Sequence, residues 1–137
     1  MPLELHIVTP EKKVFSDLVD NVYLPGVDGE MGILPQHAGL VTALKAGELR
    51  YAYHGTTQTL AIGSGFAEVT QTKVIVLTDS ALGEAEIDEE HVQAAIKRAE
   101  EKLAVVDHNL DAEEVAYLQG VIAKATSELH FKRKYRR

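Results

Sequence analysis

Leu3, Leu5 and Ile7 alternate with Glu4, His6 and Val8 at the start of the chain. A two-residue period marks a strand with one face turned to a core. Val14 and Phe15 then precede a Ser-Asp pair that reads as a turn, and Val22 and Leu24 follow it. Further runs cover Leu40 to Leu44, Leu49 to Tyr53, Thr59 to Ile62, Phe66 to Val69 and Val74 to Leu77. They are rich in Val, Ile, Tyr, Phe and Thr and are separated by Gly, Pro, Asp or Ser, as strands are. His54-Gly55-Thr56 and Gln71-Thr72 fit hairpin turns. Many short strands at this spacing predict an all-β N-terminal domain over residues 1–86, an antiparallel β-sandwich or barrel. No interleaved helical pattern supports a parallel sheet.

The period changes near Ile87. Val92, Ile96, Ala99, Leu103 and Val106 fall on one helical stripe, and Val115, Leu118, Ile122, Ala125 and Leu129 on another. Asp88, Glu89 and Glu90 suit a helix N-terminus, where carboxylates meet the positive end of the dipole. Asp111 with Glu114 resembles a capping box for the second helix. Asp107-His108-Asn109-Leu110 is a short polar turn between the two. Residues 87–137 are therefore expected to form a C-terminal antiparallel α-helical hairpin. Its stripes are thin and Ala-rich. At about 25 cal/mol per Å² of buried apolar surface, the seam is modest beside the entropy of ordering the segment. The hairpin is expected to be marginal without a second surface. Gly120 falls on the outer face of the second helix and is read as a tolerated surface glycine.

Net charge is −7, which argues against a general nucleic-acid binder. The charge is uneven. Residues 84–114 are acidic, whereas Lys132, Arg133, Lys134, Arg136 and Arg137 make the end basic. On charge alone this end reads as a frayed, solvated terminus; the alternative is a tail that meets an acidic partner or folds back on its own acidic segment. The absence of cysteine excludes disulfides and thiolate chemistry. No signal peptide and no bilayer-spanning segment is evident, so a soluble chain without direct membrane insertion is expected.

A catalyst needs a nucleophile, acid or base held against a partner. The six histidines show no helical metal spacing, and no metal or cofactor is expected. Gly26, Gly29 and Gly32 have the wrong spacing for a dinucleotide fingerprint, and no Lys-Ser/Thr follows them. Ser64 between Gly63 and Gly65 lacks the nucleophile-elbow pattern and reads as a turn. His37, beside a turn in a Gly/Pro-rich stretch, reads as structural or surface-exposed.

The stretch Gly29-Glu30-Met31-Gly32-Ile33-Leu34-Pro35-Gln36-His37-Ala38 is similar to the GELGILPGHAPL segment of the epsilon subunits of F-type ATP synthases. Leu40 to Leu44 and Gly47-Glu48-Leu49-Arg50 continue the match. Ile7 to Pro10 resembles that family's opening strand, Gly63 to Val69 its SGGFxEV segment, and Ile87-Asp88 the start of its hairpin. The resemblance spans nearly the whole chain.

It implies a non-catalytic rotor subunit, peripheral on the cytoplasmic face of a bacterial plasma membrane. The sandwich would bind the gamma subunit and rest on the polar loops of the c-ring, coupling proton-driven rotation to ATP synthesis. Glu30 and His37 match ring-facing positions. The hairpin would rise towards the catalytic alpha and beta subunits and inhibit ATP hydrolysis, and the basic end would meet acidic segments there. Lowered, that end would meet Glu residues of its own first helix. Some bacterial members hold ATP at the hairpin through a motif that Ile87-Asp88 and Arg98 match. His91-Val92 replaces the motif's Arg-Ala, and Lys124 and Glu128 stand where binding members carry arginines. Lys lacks the bidentate grip of Arg, and a carboxylate repels phosphate, so weak or absent ATP binding is expected. Outside the family, the competing reading is a cytoplasmic adaptor or holdase with a coiled-coil arm.

Overall fold

The computed structural model describes residues 3–104 and 112–135. The chain divides into two compact units, Met1–Gly83 and Glu84–Arg137.

The first unit is built from ten strands: β1 (Leu3–Val8), β2 (Lys13–Val19), β3 (Asn21–Gly26), β4 (Gly29–Ile33), β5 (Leu40–Leu44), β6 (Gly47–Tyr53), β7 (Thr56–Ile62), β8 (Gly65–Val69), β9 (Lys73–Thr78) and β10 (Ala81–Leu82). They are ordered β10-β7-β6-β3-β5-β8-β9-β1-β2, with β4 on β3. The continuous path folds into two layers. β4, β3, β6, β7 and β10 form one; β5, β8, β9, β1 and β2 form the other. A single rung, Gly26 opposite Leu44, joins them through β3 and β5.

Alternation places one face of each strand inside. Leu3, Leu5, Ile7, Val22, Leu24, Ile33, Leu49, Val74 and Val76 have no exposed surface. Each such side chain contributes on the order of 2 kcal/mol over leaving it in water. The expected hairpin turns form. His54 and Gly55, at φ +52° and +77°, make the two-residue turn between β6 and β7. Residues 70–72 connect β8 to β9.

Two local expectations are corrected. Ser16 and Asp17 do not form a turn; they lie inside β2, with Ser16 opposite His6 and Asp17 opposite Leu5. Their polar side chains find partners there, so their turn propensity is overridden. The sheet also contains a parallel pair, β1 with β9, with Leu5 opposite Val74 and Ile7 opposite Val76. Strands so far apart in the chain need no crossover helix of their own to run parallel, because the whole intervening sandwich serves as the connection.

The second unit begins with a 3₁₀ turn, Glu84–Glu86, followed by α1 (Glu89–Ala104) and α2 (Ala112–Tyr135). Asp88 is the N-cap of α1: its Oδ1 accepts from the backbone N–H of Glu90 at 3.0 Å and of His91 at 3.3 Å. The two helices pack as a hairpin, with Val92 and Ala99 of α1 and Leu118, Ala125 and Phe131 of α2 buried. Ile96, Leu103, Val115, Ile122 and Leu129 are half-buried on the same stripes. Phe131, two residues after the last position of the expected stripe, is buried as well and falls on a different face of α2. Val106, the turn Asp107–Leu110 and the capping residue Asp111 lie outside the described residues.

Candidate functional site

Glu30 is carried by a tight hairpin. β3 and β4 pair directly, with Gly26 opposite Gly29 and Tyr23 opposite Gly32, leaving only Val27 and Asp28 in the turn. Gly29 sits at φ +133°, which disfavours any side chain. A Cβ on Gly26 would stand 2.8 Å from the Gly29 carbonyl oxygen. The glycines of this block therefore shape the turn and leave Glu30 on the outer face of β4.

Glu30 is not alone there. Arg50 of β6 donates from Nη2 to Glu30 Oε1 at 2.6 Å. The Arg50 guanidinium also lies over the Tyr23 ring, 4.8 Å from its centroid. Tyr23 and Arg50 are opposite one another in the β3–β6 ladder. The Tyr23 ring covers Gly32, where an added Cβ would come within 2.8 Å of Tyr23 Cε1.

His37 lies beyond β4, after a bend in which Gln36 takes φ +71°. The Gln36 N–H donates to the Gln71 carbonyl at 2.8 Å, and the His37 N–H to that of Leu34 at 3.2 Å. The His37 ring donates from Nδ1 to the Ala38 carbonyl at 2.7 Å, which fixes the ring and leaves Nε2 outside this contact. Beside it Leu34 is exposed. Among the described contacts none joins His37 to Glu30.

Pattern reading alone did not find a third surface. The ladders align Ala43 with Phe66, Phe66 with Leu77 and Leu77 with Val8, so one row crosses β5, β8, β9 and β1 on the outer face. Val41 is 72% exposed, Phe66 59% and Leu77 53%. At one end of the row an open depression of about 390 Å³ is lined by Val8, Thr9, Pro10, Ser64, Gly65, Leu77, Thr78 and Asp79. The signal was present in the sequence: Phe66 and Leu77 are large apolar residues at the outward positions of otherwise alternating strands.

The next row on that face holds a polar chain. His6 Nε2 donates to Glu4 Oε1 at 2.7 Å, and its Nδ1 accepts from the Ser16 hydroxyl at 3.0 Å. The hydrogen bond from His6 holds the Glu4 carboxyl below its ordinary range, aided by Lys73. This connectivity is that of a Ser-His-acid triad. However, Ser16 and the Glu4 carboxylate are open to solvent on the strand face, where stabilisation of a developing oxyanion would be screened. Its chemistry is mutual satisfaction of polar groups.

In the second unit Asp88 and Arg98 are not brought together. Ten residues apart on one helix, they are separated by about 15 Å along its axis. Asp88 is engaged as the cap, and Arg98 lines a shallow interhelical groove with Ala99, Lys102, Tyr117 and Leu118. As far as Tyr135 the basic end is helical, not frayed. α2 continues to Tyr135, Lys132 Nζ lies 2.9 Å from Glu84 Oε1, and Arg133 Nε donates to Glu89 Oε1 at 2.8 Å. Lys134 stands over the Tyr135 ring at 5.1 Å. Arg136 and Arg137 lie outside the described residues.

The sandwich, residues 2–84, matches the family model described as the beta-sandwich domain of the ATP synthase delta/epsilon chain. The chain belongs to this family. Similar proteins include the ATP synthase epsilon chains of Desulforamulus reducens, 52% identical over 72% of this chain and 75% of that one, and of Syntrophobacter fumaroxidans, 43% identical over 89% and 92%. Among solved structures, a chain of the Euglena gracilis mitochondrial ATP synthase, determined as an OSCP/F1/c-ring assembly, aligns with TM-score 0.76. It is 26% identical, and the match covers 98% of this chain and 82% of that one. A chain of the Tetrahymena thermophila enzyme, 12% identical with TM-score 0.59, shares the fold. As a member of the delta/epsilon family the chain is a non-catalytic subunit of an ATP synthase, and the adaptor reading falls away. Among the described residues, no helix is long and apolar enough to cross a membrane.

Proposed function

We propose that this subunit belongs to the central stalk, where its sandwich docks the gamma subunit and the c-ring and its hairpin restrains ATP hydrolysis. The observation that carries the docking part is the exposed row through Phe66 and Leu77. A sandwich with a complete core of its own has no folding reason to leave large apolar side chains on an outer face. Such a patch with a polar flank suits a lasting protein interface. We assign this row to the gamma subunit.

Glu30 and His37 are assigned to the polar loops of the ring, each offering a hydrogen-bonding group on a rigid backbone. The hairpin supplies the regulatory element: its seam is narrow, and its basic end is held by Glu84 and Glu89 through exchangeable ion pairs. Acidic segments of the catalytic alpha and beta subunits are the competing partners, and the working place is the cytoplasmic face of the membrane. A two-state element of this kind needs only a few kcal/mol between its states.

The docking part is tested with F66E and L77E. Both positions are solvent-exposed, so both variants are expected to keep the parent melting temperature while losing at least tenfold in affinity for the gamma-containing complex. Parent affinity in both variants would overturn the assignment of this face.

A further inference from the structure

Gly32, Tyr23, Arg50 and Glu30 form one continuous stack across β4, β3 and β6. Gly32 has no side chain, and the Tyr23 ring occupies the space above it. The ring in turn supports the Arg50 guanidinium at 4.8 Å. The guanidinium ends on Glu30 at 2.6 Å. Each member thus fixes the next, and the order follows from the ladder register, which sets Tyr23 opposite both Gly32 and Arg50.

We infer that Arg50 is a positioning residue for Glu30 and that the partner's polar loop meets the Arg50–Glu30 pair as a unit. The inference rests on the assignment of Glu30 to the docking surface. Its physical ground is the geometry of the carboxylate. A glutamate on an exposed strand samples many rotamers, and docking would have to freeze them. Here one carboxylate oxygen is already held by a planar donor that is itself fixed on an aromatic face. Oε2 is left for the partner, and the guanidinium offers further N–H donors beside it. The side chains remain 55% exposed at Glu30 and 36% at Arg50, so the pair is open to a partner. A surface presenting a donor and an acceptor side by side fits a peptide or side-chain amide, which carries the complementary pair.

The stack also explains the spacing of the Gly-Glu-Met-Gly block. Glu30 and Gly32 are two residues apart and share the outer face of β4. One supplies the charge, and the other makes room for the ring that supports its partner.

The test uses the full-length chain, fluorescently labelled, titrated onto membrane vesicles bearing the ATP synthase stripped of this subunit. E30Q, R50M, R50K and the exchange E30R/R50E are compared with the parent, and melting temperatures are recorded in parallel. R50M is expected to weaken binding roughly tenfold although Glu30 is intact, as E30Q does. R50K, which keeps charge but not the planar stack, is expected to lie between. The exchange variant restores the ion pair and the melting temperature but not the affinity, an outcome that a purely structural role would not produce. If R50M fails to fold, R50K carries the comparison. Parent affinity in the arginine variants with weak binding by E30Q would overturn the role of Arg50 and leave that of Glu30 standing. Parent affinity in E30Q would overturn the Glu30 assignment and this inference with it. Full recovery of affinity in the exchange variant would reduce the pair to a folding contact.

Discussion

Tyr53 donates its phenolic hydrogen to Asp17 Oδ2 at 2.6 Å, tying β6 of one layer to β2 of the other. The two residues are 36 apart in the chain, and no backbone ladder joins their strands. Phe15 packs on Tyr51 at 4.5 Å between ring centroids and meets Tyr53 edge-on at 5.3 Å. Side chains therefore close the sandwich at this end, opposite the Gly26–Leu44 rung.

This closure predicts a pH response. The Tyr53 hydrogen bond, joined by the Leu18 N–H, holds the Asp17 carboxyl below its usual range. A carboxyl with a lowered folded-state pKa contributes stability at pH values above its ordinary 3.8, and the contribution disappears as pH falls through the lowered value. The same bond raises the Tyr53 hydroxyl, so its contribution is complete below pH 10 and is lost as pH rises through the raised value. Y53F is expected to lower the melting temperature at pH 7 and to return the Asp17 carboxyl towards its ordinary range. Carboxyl NMR titration of the parent and Y53F reads this directly; an unmoved Asp17 titration would refute the account.

Gly65 is predicted to be intolerant of any side chain. A Cβ there would stand 1.9 Å from the Leu77 carbonyl oxygen, a backbone atom that cannot swing aside. Next to it the Thr78 hydroxyl is buried among the carbonyls of Gly63, Ser64 and Ser80, at 3.0 to 3.2 Å. G65A is expected to cost about 3 kcal/mol, at the upper end of overpacking penalties. Urea unfolding measures it, and a loss under 1 kcal/mol would mean that the β8–β9 ladder yields more readily than its geometry implies.

Gly120 gives the opposite result. An added Cβ would meet nothing within 4 Å. G120A is expected to stabilise α2 by about 1 kcal/mol, the difference in helix propensity between the two residues. Calorimetry of the full chain should show the gain. If the hairpin must loosen to act, G120A also shifts hydrolysis by the assembled enzyme, and unchanged activity would confine the glycine to a tolerated surface position.

The basic end supplies a fourth prediction. The E84Q/E89Q double variant removes the carboxylate partners of Lys132 and Arg133 while preserving side-chain shape. Each pair contributes about 1 kcal/mol or less, and salt screens it. Amide exchange over α2 is expected to accelerate in the variant and to lose much of its salt dependence. Under the proposed role, ATP hydrolysis by the complex falls, because the released end reaches its competing partners. In a complex carrying a chain that ends at residue 86, hydrolysis is expected to rise while rotation-coupled synthesis persists. Loss of synthesis in that truncated form would move coupling into the hairpin.

The local pattern disclosed most of the scaffold because local rules built it. Leu3, Leu5 and Ile7 announce an inward face wherever the strand goes, and the stripes from Val92 and Val115 announce a seam. Ser16 and Asp17 were misleading because they look like turn formers; their partners, His6 and Tyr53, come from distant strands. The β1–β9 parallel pair was invisible for the same reason, since register between the first and ninth strands has no local signature. Glu30 was legible as a candidate, but its partner was not. Arg50 reaches it only through two ladders that meet on β3. The outer row was hidden by its own regularity: Phe66 and Leu77 support strand formation and reveal their exposure only once the faces are assigned.

The Gly26–Leu44 rung has a mechanical consequence. Hydrogen bonds run along the strands of each layer, but the strand ladder passes between layers only at that corner, with the Tyr53–Asp17 side-chain bond at the far end. Elsewhere the layers grip each other through interlocked Leu, Ile and Val side chains. Under the torsional load of a turning shaft, shear between layers meets resistance spread over the whole interior instead of concentrated on a few bonds that could unzip in sequence. Close packing has low compressibility. A domain of this construction would behave as a stiff washer, deforming little and returning to shape after every step.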